Sequence, residues 1–469
     1  MTLKDRKDKF MEFWNEYKKV KFGLVGLAFL IILLLLIIFE PLIVPFEGAT
    51  EAWSDIAYWQ DYPQNSRPVW TNFFSKDKRT PSVILEDFKE TELPQRGQVR
   101  FFEYEFEYDY NYDIAPKDMI LRFKGDGKPF VTISIIRPDG KTIDLIRNRE
   151  MIISSIDGAR VSIQNNSGAN AYNFASNYES AENLSGVARD RIDVMPVIMS
   201  KADVGITKGA EALKGTYTIK ISAILREPQE NIEKPIITMS GAVSGLMGTD
   251  NQKRDLFTGI ILGIKWALLI GLLTSFVSIT IGVIYGVICA YFGGIVDVIM
   301  QRIFEIFYGI PMLPLLIVVS AIFSPSIWLL IAIMGLLYWV GPVKTVRSIG
   351  LQIREETFIE ASQALGAGHF RLIFKHMVPL LLPYTFASMA LLVPGAIVAE
   401  ATISLLGLGD TTIVSWGQIL NSAFRGGAII NGYWWWVVPP GLMIAITGMT
   451  FAFIGFAMDK ILHPKLKSR

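Results

Sequence analysis

Residues Phe22 to Phe39 form 18 consecutive positions with no charge and no strongly polar side chain. At a rise of about 1.5 Å per residue such a helix nearly matches a hydrocarbon core of about 30 Å, so the run predicts a membrane span. Seven Lys/Arg precede it (Lys4, Arg6, Lys7, Lys9, Lys18, Lys19, Lys21), and Glu40, Glu47, Glu51 and Asp55 follow. The positive-inside bias therefore predicts a cytoplasmic N-terminus. A cleaved signal peptide would carry a shorter apolar region, about 7–15 residues, and a small-residue cleavage site; Glu40-Pro41 stands there instead.

From Leu256 to His463 the hydropathy pattern predicts five further spans, roughly 258–292, 303–323, 326–343, 380–406 and 435–458. Six spans return the C-terminus to the cytoplasm. Arg302, Lys344, Arg347, Arg354, Arg371, Lys375, Lys460, Lys465 and Lys467 then all fall on the inner side, which agrees with that count. Trp434, Trp435 and Trp436 fall where the last span should enter from outside, as interfacial indoles do. The chain carries 51% hydrophobic and 19% charged residues, with 45 Lys+Arg against 44 Asp+Glu. That balance excludes a disordered chain and a strongly basic nucleic-acid binder. The single cysteine, Cys289, excludes an intrachain disulfide and a cysteine-built zinc or iron–sulfur site.

About 200 residues separate the first two spans, and their period is that of strands. Aromatics at 102, 104, 106, 108, 110 and 112 alternate with Glu103, Glu105, Glu107, Asp109 and Asn111. Val131, Ile133 and Ile135 alternate with polar residues, Pro138-Asp139-Gly140 turns the chain into Ile143 and Leu145, and Tyr217, Ile219 and Ile221 repeat the pattern. A β-sandwich-like domain over roughly 85–230 is expected. The aromatic row suits either the inner face of that sandwich or a stacking platform for a sugar or peptide. Residues 165–190, rich in Asn, Ser, Ala and Gly, predict a loop.

On the predicted cytoplasmic side, Ser348 to Met377 shows a helix–turn–helix pattern. Leu351, Phe358, Ala361 and Leu365 share a stripe, Gly366 and Gly368 interrupt it, a short segment runs through Phe370, Ile373 and Phe374, and Pro379 precedes the fifth span. The Glu360-Ala361-Ser362-Gln363-Ala364-Leu365-Gly366 stretch followed by Pro379 resembles the EAA loop of bacterial ABC-importer permeases. Ser362 replaces the family's third Ala, His376 its usual Ile and Val378 its usual Leu. Further matches resemble the dipeptide/oligopeptide permease group, specifically its second permease subunit. They are Glu40-Pro41-Leu42-Ile43-Val44-Pro45, Gly248-Thr249-Asp250 with Arg254-Asp255, Tyr291-Phe292-Gly293-Gly294, Ala399-Glu400-Ala401 with Leu405-Leu406-Gly407-Leu408-Gly409, and Ser415-Trp416-Gly417. Lys253 stands where the family usually has Gly, and Asp410-Thr411-Thr412-Ile413 replaces its Pro-rich loop.

That resemblance implies an all-α membrane protein with six transmembrane helices and the type I ABC importer permease fold, interrupted between helices 1 and 2 by an extracytoplasmic β-rich insertion without a counterpart in the ordinary member. The implied division is a cytoplasmic 1–21, helix 1 at 22–45, an insertion at 46–248, a permease core at 249–463 with its coupling element at 348–378, and a cytoplasmic 464–469. Glu360, Ala361, Ala364, Gly366 and Pro379 are the implied ATPase-coupling residues. The implied partners are a second permease subunit, two ATPase subunits and an extracytoplasmic solute-binding protein, in the membrane lipid of a prokaryotic inner membrane and without nucleic acid. The chain has no GxxxxGK[ST] loop, so ATP and Mg are expected on the ATPase partners, with no cofactor or metal here and no enzyme activity of its own.

Lys265 and Glu400 are ionisable groups inside apolar spans, each about two turns from the outer helix end, and suit either a gate-holding ion pair or a static structural pair or snorkelling Lys. His369 and His376 share a helix face but lack a carboxylate cluster for a metal. Short peptides are the expected solute. The rivals are the same importer serving oligosaccharides or another solute, and a membrane-anchored extracytoplasmic receptor or scaffold.

Overall fold

The structure, a computed structural model, describes residues 11–44, 49–156, 158–189, 191–208, 210–323 and 325–462. Lys4, Arg6, Lys7, Lys9, Pro45, Glu47, His463, Lys465 and Lys467 lie outside the described residues. The chain divides into two compact units, one running to Ser54 and resuming at Thr258, the other spanning Asp55–Phe257. The Gly248–Asp255 motif thus folds with the second unit rather than with the permease core. Thr249 Oγ1 donates to the Pro63 carbonyl at 2.6 Å and accepts from Ser66 N–H at 2.9 Å, while Asp250 Oδ1 accepts from the Gln252 and Arg254 N–H groups at 2.8 and 2.9 Å.

The first unit is helical. Its main elements are α1 (Lys21–Ile38), α2 (Leu256–Phe292), α3 (Gly294–Tyr308), α4 (Met312–Ile322), α5 (Ile327–Tyr338), α6 (Val340–Arg354), α7 (Thr357–Ala364), α8 (Val378–Leu405), α9 (Trp416–Arg425) and α10 (Trp434–Leu462). Among the described residues five helical stretches are long and apolar enough to cross a bilayer. A sixth exists if α3 and α4 count as one span, bent by 72°. The straight span expected over 303–323 is therefore a broken one. Pro311 explains the break, because its ring removes a donor and pushes Ile310 out of the α region.

Helix crossings in this unit are closed by residues without bulk. A Cβ on Gly26 would stand 2.8 Å from the Thr450 carbonyl, one on Gly271 2.7 Å from Val393 Cγ1, and one on Gly286 2.8 Å from Val346 Cγ1. Lipid gives no apolar driving force between helices, so close backbone approach supplies the association instead. Trp435 and Trp436 are buried and only Trp434 is substantially exposed, so the interfacial expectation fits one indole of the three.

The second unit is built on sheets. Strands β1 (Val83–Leu85), β4 (Asp118–Phe123), β8 (Ala159–Ser162) and β11 (Ile236–Ser240) form a sheet ordered β1-β11-β4-β8. Strands β2 (Lys89–Arg96), β3 (Val99–Tyr110), β6 (Phe130–Ile136), β7 (Thr142–Glu150) and β9 (Gly215–Leu225) form another, ordered β2-β3-β9-β6-β7. The short β5 (Gly125–Asp126) pairs with β10 (Asn231–Ile232). One core lies between the large sheets: Tyr104, Phe106, Tyr108 and Tyr110 from β3 meet Met119 and Leu121 from β4, Ile219 and Ile221 from β9, and Met239 from β11. The aromatic row is thus core, not a stacking platform. Its acidic face is neutralised across the ladder, where Lys220 Nζ lies 3.0 Å from Glu105 and 3.5 Å from Glu103.

Residues 165–190 differ from expectation, because much of the stretch is helical. Gly168–Ala175 forms a helix whose Ala171 and Ala175, one turn apart, are fully buried. Small side chains at i and i+4 let the helix sit close on the sheet, and Asn170 Nδ2 donates to the Leu145 carbonyl of β7 at 2.9 Å. An Asn- and Ser-rich composition favours turns locally, but tertiary burial overrides it.

Candidate functional site

The segment that resembles the EAA loop starts where α6 ends. After Glu355 and Glu356, α7 carries Glu360, Ala361 and Ala364. It is stopped at Gly366, whose φ of +84° is the left-handed conformation that favours glycine. Gly366 N–H donates to the Gln363 carbonyl at 2.9 Å and Ala367 N–H to the Ser362 carbonyl at 3.0 Å, the paired bonds of a Schellman stop. A Cβ on Gly366 would meet nothing within 4 Å in this chain, so backbone conformation, not crowding, sets the residue here.

Beyond the turn the chain does not break again before the span. Helical backbone runs from His369 to Leu405, with a π turn at Leu372–Met377 and Pro379 in the first turn of α8. Pro379 was expected to separate the short helix from the span. Instead it is absorbed: widening the helix to i→i+5 bonding re-registers the ladder just where a donor is missing.

Burial in this element is two-sided. Ile359, Leu372, Ile373 and Met377 join Val287 of α2, Val346 and Ile353 of α6 and Leu381 of α8 in one apolar cluster. Phe358, Leu365 and Phe370 point the other way, at 41%, 89% and 75% exposure, and Glu360, Ala361, Ala364 and Gly366 are exposed with them. The expected stripe is real at Phe358, Ala361 and Leu365, but it faces away from this chain's own core. The element is also pinned from behind. His369 Nδ1 lies 2.6 Å from Tyr291 Oη at the end of α2, and Arg354 Nη1 donates to the Ala290 carbonyl at 3.1 Å. Arg347 of α6 clasps Asp297 of α3 at 2.7 and 2.5 Å, the bidentate geometry of a strong pair. A push on α7 therefore bears directly on α2, α6 and α8.

The structure does not bring Lys265 and Glu400 together. Lys265 Nζ lies 3.6 Å from Glu40, just past the end of α1. Glu400 is buried in α8, where its Oε1 accepts from Ser404 Oγ at 2.7 Å and from Ser415 Oγ at 2.8 Å. The correction follows from helix geometry. Gly263 faces the Trp416 ring of α9 and Gly271 faces α8, whereas Lys265, two residues from Gly263, is rotated by about 200° to another face of α2. Ser415 also caps α9, accepting from Gln418 N–H at 3.2 Å, and Trp416 Nε1 donates to the Ile260 carbonyl at 3.0 Å. Glu400, Ser404 and Ser415 thereby tie α8 to the start of α9, and the Ser-Trp-Gly triplet ties α9 to α2. The Ser415…Gln418 spacing is a cap signal available in the sequence. No sequence signal announces Asp297–Arg347, since nothing local links positions fifty apart.

Asp410, in the turn after α8, is pulled upward by burial. Bonds from Thr412 Oγ1 and from the Ile327 and Thr412 N–H groups outweigh this and hold its carboxyl below the usual range.

Comparison with known proteins agrees with this architecture. A family model described as binding-protein-dependent transport system inner membrane component matches residues 278–468, and one described as the N-terminal TM domain of oligopeptide transport permease C matches 10–66. Most of the β-rich unit lies between the two. The dipeptide transport system permease protein DppC of Bacillus subtilis (strain 168) is 36% identical over 221 residues, 47% of this chain and 68% of that protein. The oligopeptide transport system permease protein OppC of Haemophilus influenzae is 34% identical over 219 residues, 46% of this chain and 70% of that protein. Among solved structures, an inward-facing MetNI methionine ABC transporter chain aligns with 45% of this chain and 97% of its own at 20% identity, with a TM-score of 0.33, too low to carry structural argument. Alignments that span two thirds of these permeases at a third identity show that the chain belongs to the family of binding-protein-dependent transport system inner membrane components.

Proposed function

We propose that this chain is the second of two permease subunits in an ABC importer that carries short peptides across a prokaryotic inner membrane. Its relatives are dipeptide and oligopeptide transport permeases, and the similarity covers both the N-terminal span and the helical unit. In this reading the termini and α7 lie in the cytoplasm and the β-rich unit lies outside. Two ATPase subunits bind and hydrolyse ATP with Mg, and an external receptor delivers the solute. The exposed coupling face carries the proposal: Ala361 and Ala364 admit a close neighbour, Phe358 and Leu365 present apolar surface to it, and Glu360 offers an acceptor at its edge. ATP-driven closure of the ATPases would push this face, and the contacts behind it would rock α2, α6 and α8. The sugar-stacking argument loses its support, because the rings it needs are core.

The test is stimulated ATP hydrolysis and peptide uptake by the reconstituted assembly carrying Gly366→Pro. Proline cannot adopt a φ of +84° and lacks the N–H that closes the turn. Uptake and solute-stimulated hydrolysis should both fall to background while the variant still inserts. Unchanged coupling would favour the anchored-receptor reading, and uptake of oligosaccharides rather than peptides would move the solute class.

A further inference from the structure

At one end of the β-rich unit the chain crosses from β1 to β2 through Glu86, Asp87 and Phe88, and beside that crossover lies an open trough of about 780 Å³. That is a volume typical of small-ligand sites. Phe88, Tyr104, Ile232 and Pro235 are among its lining, with the Phe88 and Tyr104 rings edge-on at 5.6 Å. Burial, with Glu90 adding to it, raises the Tyr104 phenol to about 12, so at neutral pH it stays a neutral hydrogen-bonding group. The walls carry charge of both signs, Glu86, Asp87, Glu90 and Glu233 against Lys124 and Lys234. A second hollow of about 390 Å³, with Asp126, Ser154 and the exposed Ile156, shares Lys124 and Glu233 with the first, so the trough is elongated.

Ion pairing on this unit's surface is uneven. Elsewhere Lys220, Lys214 and Arg122 are each paired with a carboxylate. None of the six around the trough has an ion-pair partner among the described residues. Nor do the carboxylates converge on a cation, since no group of three metal-ligating side chains occurs among the described residues. Unpaired acids on the Glu86–Glu90 crossover, lysines at 124 and 234 and the Phe88 ring among the lining suit a ligand that carries both charges and an apolar group.

We propose that this trough binds a short peptide with free termini. The peptide's α-ammonium meets the carboxylates of the Glu86–Glu90 crossover, its α-carboxylate meets Lys124 and Lys234, and an apolar side chain packs on Phe88 and Ile236. The solute class rests on the importer reading above; the site itself rests on the trough.

The experiment is isothermal titration of the full chain in lipid nanodiscs with the tetrapeptide Lys-Phe-Ala-Ala and with its N-acetylated, C-amidated form. Blocking the ends should weaken binding about tenfold, the scale of a lost charge-assisted hydrogen bond. The double variant Glu86→Gln/Glu90→Gln should weaken the free peptide by a similar factor and leave the blocked one unchanged, as should Lys124→Gln/Lys234→Gln. Equal binding of free and blocked peptides, indifference to both variants, or no heat at millimolar peptide would each overturn the site. Peptide uptake by the wild-type assembly is measured alongside. Uptake without trough binding overturns the trough alone, and trough binding without uptake overturns the importer reading alone.

Discussion

The two units reach close packing by opposite routes. The β-rich unit fills its centre with large groups: Phe106, Phe123, Tyr110 and Tyr217 are each under 2% exposed, and the Arg137 guanidinium is buried against the Val197, Ile198 and Ser200 carbonyls. The helical unit instead puts glycine at its crossings, and α1 turns bulk outward, with Ile31, Ile32, Leu34 and Leu35 all substantially exposed. Solvent is the reason. Water rewards removing large apolar side chains from the surface, whereas lipid is indifferent to them and leaves shape to decide which helices meet. The same residue types therefore carry opposite meanings on either side of the unit boundary.

Opposite substitutions should accordingly damage the two units. Phe106→Ala deletes a fully buried ring and should cost about 3–5 kcal/mol, the range for core aromatics. Gly417→Val adds bulk where a Cβ would already stand 2.6 Å from Ser404 Cβ and 2.8 Å from Ala401 Cα, and should cost about 3 kcal/mol. Hydrogen exchange on the full chain resolves them: the first should raise exchange in β3 and β9 and spare α8 and α9, and the second should do the reverse. Loss of protection in β3 and β9 on Gly417→Val would show that the two packings are not independent.

A second contrast is how each unit houses a buried acid. Glu400 shares its proton-accepting oxygen between two serines. Glu179 collects five bonds from Ser180, Asn183, Gly205 and Thr207, at 2.8 to 3.1 Å. Burial raises its pKa, but those donors outweigh burial and hold it at about 2 against an ordinary 4.5. A folded-state value below the unfolded one stabilises the fold above about pH 4.5 and loses that contribution as pH falls toward 2. Glu179→Gln should lower stability at pH 7 by about 2 kcal/mol, the scale of hydrogen bonds to a charged group, and flatten the acid limb between pH 4.5 and 2. A thermal-melt series across that window that shows the same slope for both chains would remove Glu179 from the account.

Legibility in the sequence followed the same divide. Apolar runs located helices long and apolar enough to cross a membrane, but not the bend at Pro311 or the π turn that absorbs Pro379. Both are choices among backbone geometries that a hydropathy pattern does not distinguish. Alternation located β3, β6 and β9, because a period of two survives whatever packs on the face. The helices of 163–199 stayed hidden, since their stability comes from burial of Ala171 and Met195 rather than from propensity. The motif at Glu360–Gly366 lies on an exposed face. The Lys265–Glu400 expectation failed because depth in the membrane fixes a residue's level along a helix and leaves its azimuth free.

The smallest expected stability change is the one that separates folding from coupling most cleanly. Leu365 is 89% exposed and sits at the C-cap of α7, with its N–H bonded to the Ala361 carbonyl at 3.0 Å. Replacing its side chain with a carboxylate leaves that backbone bond and the following Schellman turn intact, so Leu365→Asp should change stability by less than about 0.5 kcal/mol. In the apolar α1 an exposed leucine, such as Leu35, is costly to charge in the bilayer. In the proposed assembly a partner's surface, not lipid, covers Leu365, so it should behave in the contrary way. Unaltered melting and membrane insertion together with lost co-purification of the ATPase would place the docking surface on this stripe. Full co-purification and full stimulated hydrolysis by Leu365→Asp would mean that the exposed leucine has no partner in the assembled importer, and that the coupling contact lies elsewhere on α7.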